Sequence, residues 1–420
     1  MPKFIIQGGS SLKGEIEVSG AKNSALKLMA AALLTSKDVL LVNVPDIEDI
    51  HTMKKILEKL GAKIEFNNHE MHLNCAGVNS YEPDYKLVKK LRASVVVIGA
   101  LVARFGKAKI PQPGGCIIGS RPIDTHINAF KQLDIEVKEE KDFYLFECKK
   151  ARLSGAKIIL DEMSVTATEN ALLAAVFADG ISEIHLAASE PEIKDLADML
   201  EKMGAKIKGG GTPVIKIQGV DKLTGVEHRI IPDRIEAGTF AIAAAVSRGD
   251  VKIKNMIPDH LAIVLKKFKK ANITFDIENN STLHIKPTTI FKAVNIDTRP
   301  YPGFPTDLQA PISVLFTQAK GTSKIFETMY EGRLGYVKEL EKMGADIKKA
   351  DTHTIIINGP TPLYGKEITS FDIRAGATLI IAALIADGES TIDKIELVDR
   401  GYEKIDQRLN NIGAKIERIG

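Results

Sequence analysis

Tryptophan is absent from this chain, aromatic residues make up 5% of it, and cysteine occurs three times in 420 residues. So few aromatics leave little with which to stack unpaired bases, so nothing points to a single-strand nucleic-acid binder. Cys75, Cys116 and Cys148 are odd in number and show no paired spacing, which argues against a disulfide framework and a structural zinc site. An excess of one charge is lacking as well. The 57 basic and 54 acidic residues leave a net +3, with no general pull toward nucleic acid or membrane. The longest apolar stretch, Leu28 to Val42, is broken by Thr35-Ser-Lys-Asp38 and is too short to span a bilayer. The N-terminal Met1-Pro-Lys-Phe-Ile-Ile-Gln-Gly-Gly9 has no signal-peptide core. The expectation is a cytoplasmic protein, without nucleic-acid partner, membrane insertion or bound metal.

What is there is an ordinary globular composition, 44% hydrophobic and 26% charged, on a chain long enough for two or three domains. It also repeats itself. Leu57-Glu-Lys-Leu-Gly-Ala-Lys-Ile64 recurs as Leu200-Glu-Lys-Met-Gly-Ala-Lys-Ile207, Leu340-Glu-Lys-Met-Gly-Ala-Asp-Ile347 and Leu409-Asn-Asn-Ile-Gly-Ala-Lys-Ile416. Weaker copies stand at Phe130–Val137 and Phe268–Phe275, so the glycine-equivalent positions are 61, 134, 204, 272, 344 and 413. They lie about seventy residues apart. Each is Gly, Asn or Asp, the residues that tolerate a left-handed helix end, and an alternating strand such as Ala62–Phe66 follows.

An Ala-rich helix precedes each copy: Ala25–Leu34, Ala93–Ala103, Ala167–Ala178, Ile235–Ser247, Leu308–Gln318 and Ala375–Ala386. Nearly all their residues are small or apolar, as in a helix buried on every side. The unit reads strand, buried helix, strand, amphipathic helix, strand, with one strand more in places. An open solenoid is built from shorter, simpler units, so six such units are expected to close into two compact halves of three. The linker between halves is expected near Thr224–Ile231, and a cleft between halves is a default ligand site.

Charges at the starts of buried helices stand out: Lys22-Asn23, Arg92, Glu169, Asp233-Arg234, Glu236, Asp307, Asp372 and Arg374. Helix N-termini favour anions, and with Arg121 and Arg400 the set suits a phosphate- or carboxylate-rich ligand. Each one alone reads first as a capping acid or a surface arginine, and it is their recurrence at one structural position that favours a ligand. The other exception is Ile110-Pro-Gln-Pro-Gly-Gly-Cys-Ile-Ile-Gly-Ser-Arg-Pro-Ile-Asp-Thr-His126, a segment that cannot be regular helix. A thiol on such a loop beside Arg121 suits a nucleophile or proton donor, whereas Cys75 and Cys148 read as small buried hydrophobes.

Taken in order, Ser19-Gly-Ala-Lys-Asn-Ser-Ala25, Leu91-Arg-Ala-Ser94, Pro113-Gly-Gly-Cys-Ile-Ile-Gly-Ser-Arg-Pro-Ile-Asp124, Pro232-Asp-Arg-Ile-Glu-Ala-Gly-Thr239, Phe304-Pro-Thr-Asp307 and Asp399-Arg-Gly-Tyr-Glu403 resemble the UDP-N-acetylglucosamine 1-carboxyvinyltransferases, enolpyruvyl transferases, from end to end. The resemblance implies an α/β fold, an inside-out α/β barrel pair of six βαβαββ-like repeats in two globular domains. Domain 1 would be residues 21–230, with the cysteine loop at 111–122. Domain 2 would be 1–20 plus 231–420, with the active site in the interdomain cleft. It implies transfer of the enolpyruvyl group of phosphoenolpyruvate to the 3′-hydroxyl of UDP-N-acetylglucosamine, with release of phosphate, as the first committed step of peptidoglycan synthesis.

By motif, Lys22, Asn23, Arg121 and Arg400 would hold phosphoenolpyruvate. Arg92, Arg121, Pro122, Ile123, Asp124, Thr125, Ser164, Val165, Asp307 and Met329 would hold the nucleotide sugar. Cys116 matches the family's general acid, which also forms an adduct with phosphoenolpyruvate, and Asp307 its proposed base. Lys22 and Arg400 join these two as catalytic, and Arg333, Asp372 and Arg374 match further cleft residues. The scheme needs no cofactor, and a monomer is expected. The chain departs from the family pattern at Ser24 (usually Ala), Lys27 (Pro), Glu162 (often Lys) and Thr166 (Gly), and at Met329-Tyr-Glu-Gly-Arg-Leu334.

Three rivals fit less well. The sister enzyme acting on shikimate phosphate lacks the Pro-Gly-Gly-Cys loop. RNA 3′-terminal phosphate cyclase needs a nucleotide-accepting histidine and a basic groove. An inactive binding protein predicts decay at Lys22, Cys116, Asp307 and Arg400, all of which are present.

Overall fold

The computed structural model describes residues 2–112 and 122–420. They form two compact units with separate cores: residues 20–112 and 122–231 (the 20–231 unit), and residues 2–19 and 232–420 (the 232–420 unit). Cys116 and Arg121 lie outside the described residues.

Six helices are buried on all sides, as their sequences predict: Lys22–Ala31, Val97–Phe105 and Val165–Ala175 in the 20–231 unit, Arg234–Val246, Gln309–Thr317 and Ile373–Ile385 in the other. Each Leu or Ile they bury contributes about 1.5–3 kcal/mol. Small residues let them approach: a Cβ on Gly99 would meet the carbonyl oxygen of Asn170 at 2.3 Å, so the helix of Gly99 closes on Val165–Ala175 through bare backbone. The amphipathic helices are Glu48–Leu60, Asp124–Gln132, Pro191–Lys202, Ala262–Lys270, Val337–Lys342 and Ile405–Asn410. All six predicted ends take positive φ: Gly61, Asp134, Gly204, Asn272, Gly344 and Gly413, at 111, 61, 106, 65, 104 and 102°.

The third repeat shows the complete plan. Lys157–Ile159 runs parallel to Ile181–His185, which pairs antiparallel with Val214–Gln218, and that in turn with Lys206–Lys208. The parallel pair is joined through the buried helix Val165–Ala175, so the helix crosses the inner face of its own sheet. Side chains on Val214–Gln218 alternate exposed and buried, one face inward and one outward.

Other sheets borrow strands from afar. Val226–Arg229 runs parallel to Val39–Val42 and opens the first sheet. Half of the expected linker Thr224–Ile231 is thus a paired strand, which its short polar sequence Val-Glu-His-Arg hides, and the chain passes from one unit to the other after Ile231. Lys13–Glu17 opens the fourth sheet beside Asp250–Lys254. Lys3–Gln7 sits inside the sixth, between Glu389–Asp393 and Ile416–Ile419. Among the described residues no helix is long and apolar enough to cross a membrane.

Candidate active site

In the 232–420 unit, Asp307 lies on the short 3-10 turn Thr306–Leu308 that leads into the buried helix Gln309–Thr317. Arg333 Nη2 meets Asp307 Oδ1 at 2.5 Å, and Arg374 meets Oδ2 through Nε at 3.0 Å and Nη2 at 2.9 Å. Both arginine side chains are buried while the aspartate side chain is 23% exposed, so the carboxylate is the accessible edge of the cluster. Two guanidinium ions face one carboxylate, and an incoming anion can compete for them.

Supports converge behind this cluster. The buried carboxylate of Glu327 accepts from Thr306 Oγ1 at 2.6 Å, Thr298 Oγ1 at 3.0 Å and the Met329 amide at 2.8 Å, fixing the chain on both sides of the Asp307–Arg333 contact. The Arg374 guanidinium lies 5.3 Å from the centre of the Tyr402 ring, and the Tyr402 hydroxyl is 2.9 Å from Thr239 Oγ1. Burial raises the Tyr402 pKa against the opposing pull of Arg374.

Asp372, expected by motif as a cleft residue, has a visible local role. Its side chain caps the helix Ile373–Ile385, accepting from the amides of Arg374 at 2.8 Å and Ala375 at 2.9 Å. Asp233 caps Arg234–Val246 in the same way. Glu236 is likewise structural, paired with Arg408 at 2.6 Å and accepting from the Ser19 amide at 2.7 Å. Arg400 is half-buried in the turn after Ile395–Leu397, and its neighbour Asp399 pairs with Arg418 at 2.8 Å.

In the 20–231 unit, Lys22 and Asn23 open the first buried helix, and Lys22 Nζ is 3.3 Å from Asp49. The two departures from the family pattern on this helix are both absorbed by buried partners. Ser24 donates to Asp195, which also receives His228 Nε2 at 2.8 Å. Lys27 Nζ is 3.6 Å from Glu169 on the third buried helix. Burial pushes the Glu169 carboxyl up to about 8, with Lys27 pulling it back and Glu192 and Glu190 adding to the rise.

Ile123, Asp124 and Thr125 form the start of Asp124–Gln132, and Ser164 caps Val165–Ala175, accepting from the Ala167 amide at 3.4 Å. His126 Nε2 lies 3.0 Å from Thr166 Oγ1, so these two helix starts are directly joined. Arg92, half-buried at the head of Arg92–Val96, acts on the same histidine: burial first, then the Arg92 charge, pushes the His126 pKa down to about 3. Sequence reading missed His126, Asn170, Tyr402 and Glu327. The signal for His126 was its place directly after Thr125; the others are polar residues in apolar surroundings with no motif of their own.

Cys75 is buried as expected, whereas Cys148 is half-buried; burial raises each thiol to about 11. Among the described residues no group of three His, Cys, Asp or Glu side chains is placed to hold a metal ion.

Six-repeat architecture, buried helices and an arginine-held carboxylate define a class, and the likeness to solved structures agrees. The fold matches the enolpyruvyl transferase NikO from Streptomyces tendae with a TM-score of 0.89 at 24% identity, covering 99% of this chain and 98% of that one. It matches EPSP synthase from Acinetobacter baumannii at 0.79 and 20% identity, covering 100% of both. The chain belongs to the EPSP synthase (3-phosphoshikimate 1-carboxyvinyltransferase) family, whose model matches residues 6–409. Within that family it is 49% identical over 419 residues to UDP-N-acetylglucosamine 1-carboxyvinyltransferase of Halothermothrix orenii, covering 100% of both chains. It is 46% identical to UDP-N-acetylglucosamine 1-carboxyvinyltransferase 1 of Caldanaerobacter subterraneus subsp. tengcongensis over 416 residues, 99% of each.

Proposed function

We propose that this enzyme transfers the enolpyruvyl group of phosphoenolpyruvate to the 3′-hydroxyl of UDP-N-acetylglucosamine and releases phosphate, the first committed step of peptidoglycan synthesis. The observation that carries the reading is full-length identity of 49% to a transferase of that name, against 20% to an EPSP synthase of equal coverage. The Asp307 geometry is compatible with it.

In this reading a proton is delivered to C3 of phosphoenolpyruvate and C2 gains cationic character. The sugar hydroxyl oxygen bonds to C2 while its proton passes to Asp307. The tetrahedral adduct then loses a proton from C3 and the C2–O bond to phosphate breaks, restoring the vinyl ether. Cys116 is assigned as proton donor by motif. Lys22, Asn23, Arg121 and Arg400 bind the phosphate and carboxylate of phosphoenolpyruvate. Arg92, Arg121 to Thr125, Ser164, Val165, Asp307 and Met329 bind the nucleotide sugar. Arg333 and Arg374 hold Asp307 until substrate anions compete for them. Action as a cytoplasmic monomer belongs to the same proposal.

The test is phosphate release from phosphoenolpyruvate with UDP-N-acetylglucosamine and, in parallel, with shikimate 3-phosphate. Release with the nucleotide sugar alone is expected, and release with shikimate 3-phosphate alone refutes the reading. Cys116→Ser should abolish or severely slow turnover while nucleotide binding persists; unchanged phosphate release removes Cys116 from the mechanism.

A further inference from the structure

Lysines on the fourth sheet sit beside acids: Lys252 pairs with Glu278 at 2.8 Å, Lys286 with Asp276 and Lys254 with Glu15. The surface next to that sheet does the opposite. The amphipathic helix Ala262–Lys270 ends in Lys-Lys-Phe-Lys-Lys, which buries Phe268 and leaves Lys266, Lys269 and Lys270 exposed. The Lys292 amide donates to the Ala271 carbonyl at 3.0 Å, so the strand Phe291–Lys292 begins where this helix ends. That strand runs parallel to Ala319–Phe326, with Lys292 opposite Lys320. Lys324, four residues on and exposed, shares the face of Lys320. Asn295 joins strand to helix: its Oδ1 accepts from the Lys324 amide at 2.9 Å, and its carbonyl accepts from Lys267 Nζ at 2.6 Å.

Six lysines, Lys266, Lys267, Lys270, Lys292, Lys320 and Lys324, therefore border one stretch of surface. None of the six forms an ion pair among the described residues, since the acids of the adjoining strand Phe275–Glu278 are taken by Lys252 and Lys286. Repulsion is felt inside the group. Burial first, then the Lys270 charge, lowers the Lys267 pKa; Asp297 opposes this and Lys266 adds to it. Such crowding destabilises the free protein, and an anionic partner relieves it. Among these cations stands Ile290, 59% exposed, more than any other large hydrophobic side chain among the described residues. It lies two residues before Lys292 with the buried Phe291 between them, so the two look outward together.

The chemistry of this surface selects its partner. All six cations are lysines, which attract negative charge without the fixed fork by which arginine reads a single phosphate or carboxylate. Nearby rings are buried, as Phe268 and Phe291 are, or lie beneath a lysine, as Phe275 and Phe326 do, and are not free to stack on a base. An exposed isoleucine amid lysines matches a surface that is negative outside and apolar just beneath. We propose that this face of the 232–420 unit is a docking surface for an anionic phospholipid bilayer, on which the protein rests reversibly with Ile290 at the headgroup level. A net charge of +3 over the whole chain averages the feature away.

The experiment sediments the full-length protein with vesicles of phosphatidylcholine, alone or mixed with phosphatidylglycerol. Binding is expected to the mixed vesicles, to fall as salt rises, and to be absent from the neutral ones. Each lysine near such a surface is worth roughly fivefold in affinity, so Lys270→Glu, Lys292→Glu and Lys320→Glu together should weaken binding by about 100-fold or more. Ile290→Ser should weaken it about fivefold with the salt dependence unchanged. Turnover at the parent's rate shows that each variant is folded. If the triple variant does not fold, Lys270→Gln, Lys292→Gln and Lys320→Gln made singly should each cost about fivefold, and unchanged binding in all three is equally fatal. Equal binding to both kinds of vesicle, binding to neither, or full binding by the triple variant overturns the proposal. So does tighter binding to heparin or a DNA oligonucleotide at the same salt with no effect of Ile290→Ser, which makes the face a site for a soluble polyanion.

Discussion

Two acidic clusters lie at buried helices, one in each unit, Asp307 on the turn before Gln309–Thr317 and Glu169 within Val165–Ala175, and their charge balance is opposite. At Asp307 two arginines serve one part-exposed carboxylate. At Glu169 one lysine stands near a fully buried carboxyl that Glu190 and Glu192 also oppose. The first arrangement keeps a charged oxygen at an accessible edge, ready to receive a proton or give up its cations to a substrate. The second leaves desolvation in command, and the acid takes up a proton near neutral pH. A part-exposed carboxylate ahead of one buried helix and a fully buried acid within another thus differ in kind. What decides is the number of cations and the access of water.

The largest way to break that contrast is Asp307→Ala. Loss of a positioned base should lower turnover by roughly 10²–10⁴-fold at every pH, measured as phosphate release. The same change leaves Arg333 and Arg374 facing each other, so the melting temperature should fall too. Adding Arg374→Met should recover part of the melting temperature and none of the turnover, which separates chemistry from stability.

Next in size is Glu169→Gln. The folded carboxyl has its pKa raised from 4.5 to about 8, so between those values the folded protein binds more protons than the unfolded chain. The stability this lends is full below about pH 4.5 and is lost as pH rises toward 8. Glutamine should flatten that slope, with melting temperatures above the parent's at pH 8 and turnover nearly unchanged. A parallel pair of curves would mean Glu169 does not titrate there.

The smallest effect is expected from Lys27→Met. Withdrawing the one cation should push the Glu169 transition to still higher pH and steepen the same slope, with little change in melting temperature at pH 5.

Much of the fold was legible because its strongest signals are local. Six helix ends carry Gly, Asn or Asp where φ is positive, and six Ala-rich stretches have no polar face to expose. The opening strands of the first and fourth sheets were not legible. Val226–Arg229 and Lys13–Glu17 find partners about 190 and 240 residues away, and pairing over such distances leaves no periodicity to read. The site divides in the same way. Asp307 and Arg374 stood out as charges heading apolar helices. Asp372 stood out equally, and its side chain caps a helix; a capping acid and a ligand-binding acid share one sequence signature. Asn170 and Tyr402 were invisible, since only the neighbours they meet from other elements give them a role.

The strand Lys3–Gln7 also sets a timetable. In a chain made from its N-terminus, residues 20–231 hold nearly everything their own core needs soon after they emerge. The first strand must instead wait, unpaired, until Glu389–Asp393 and Ile416–Ile419 arrive on either side of it. In its far pairing Lys3 stands opposite Ile419. A permuted gene that moves residues 2–19 behind Gly420 would make each unit a single stretch of chain and let the second finish as it is synthesised.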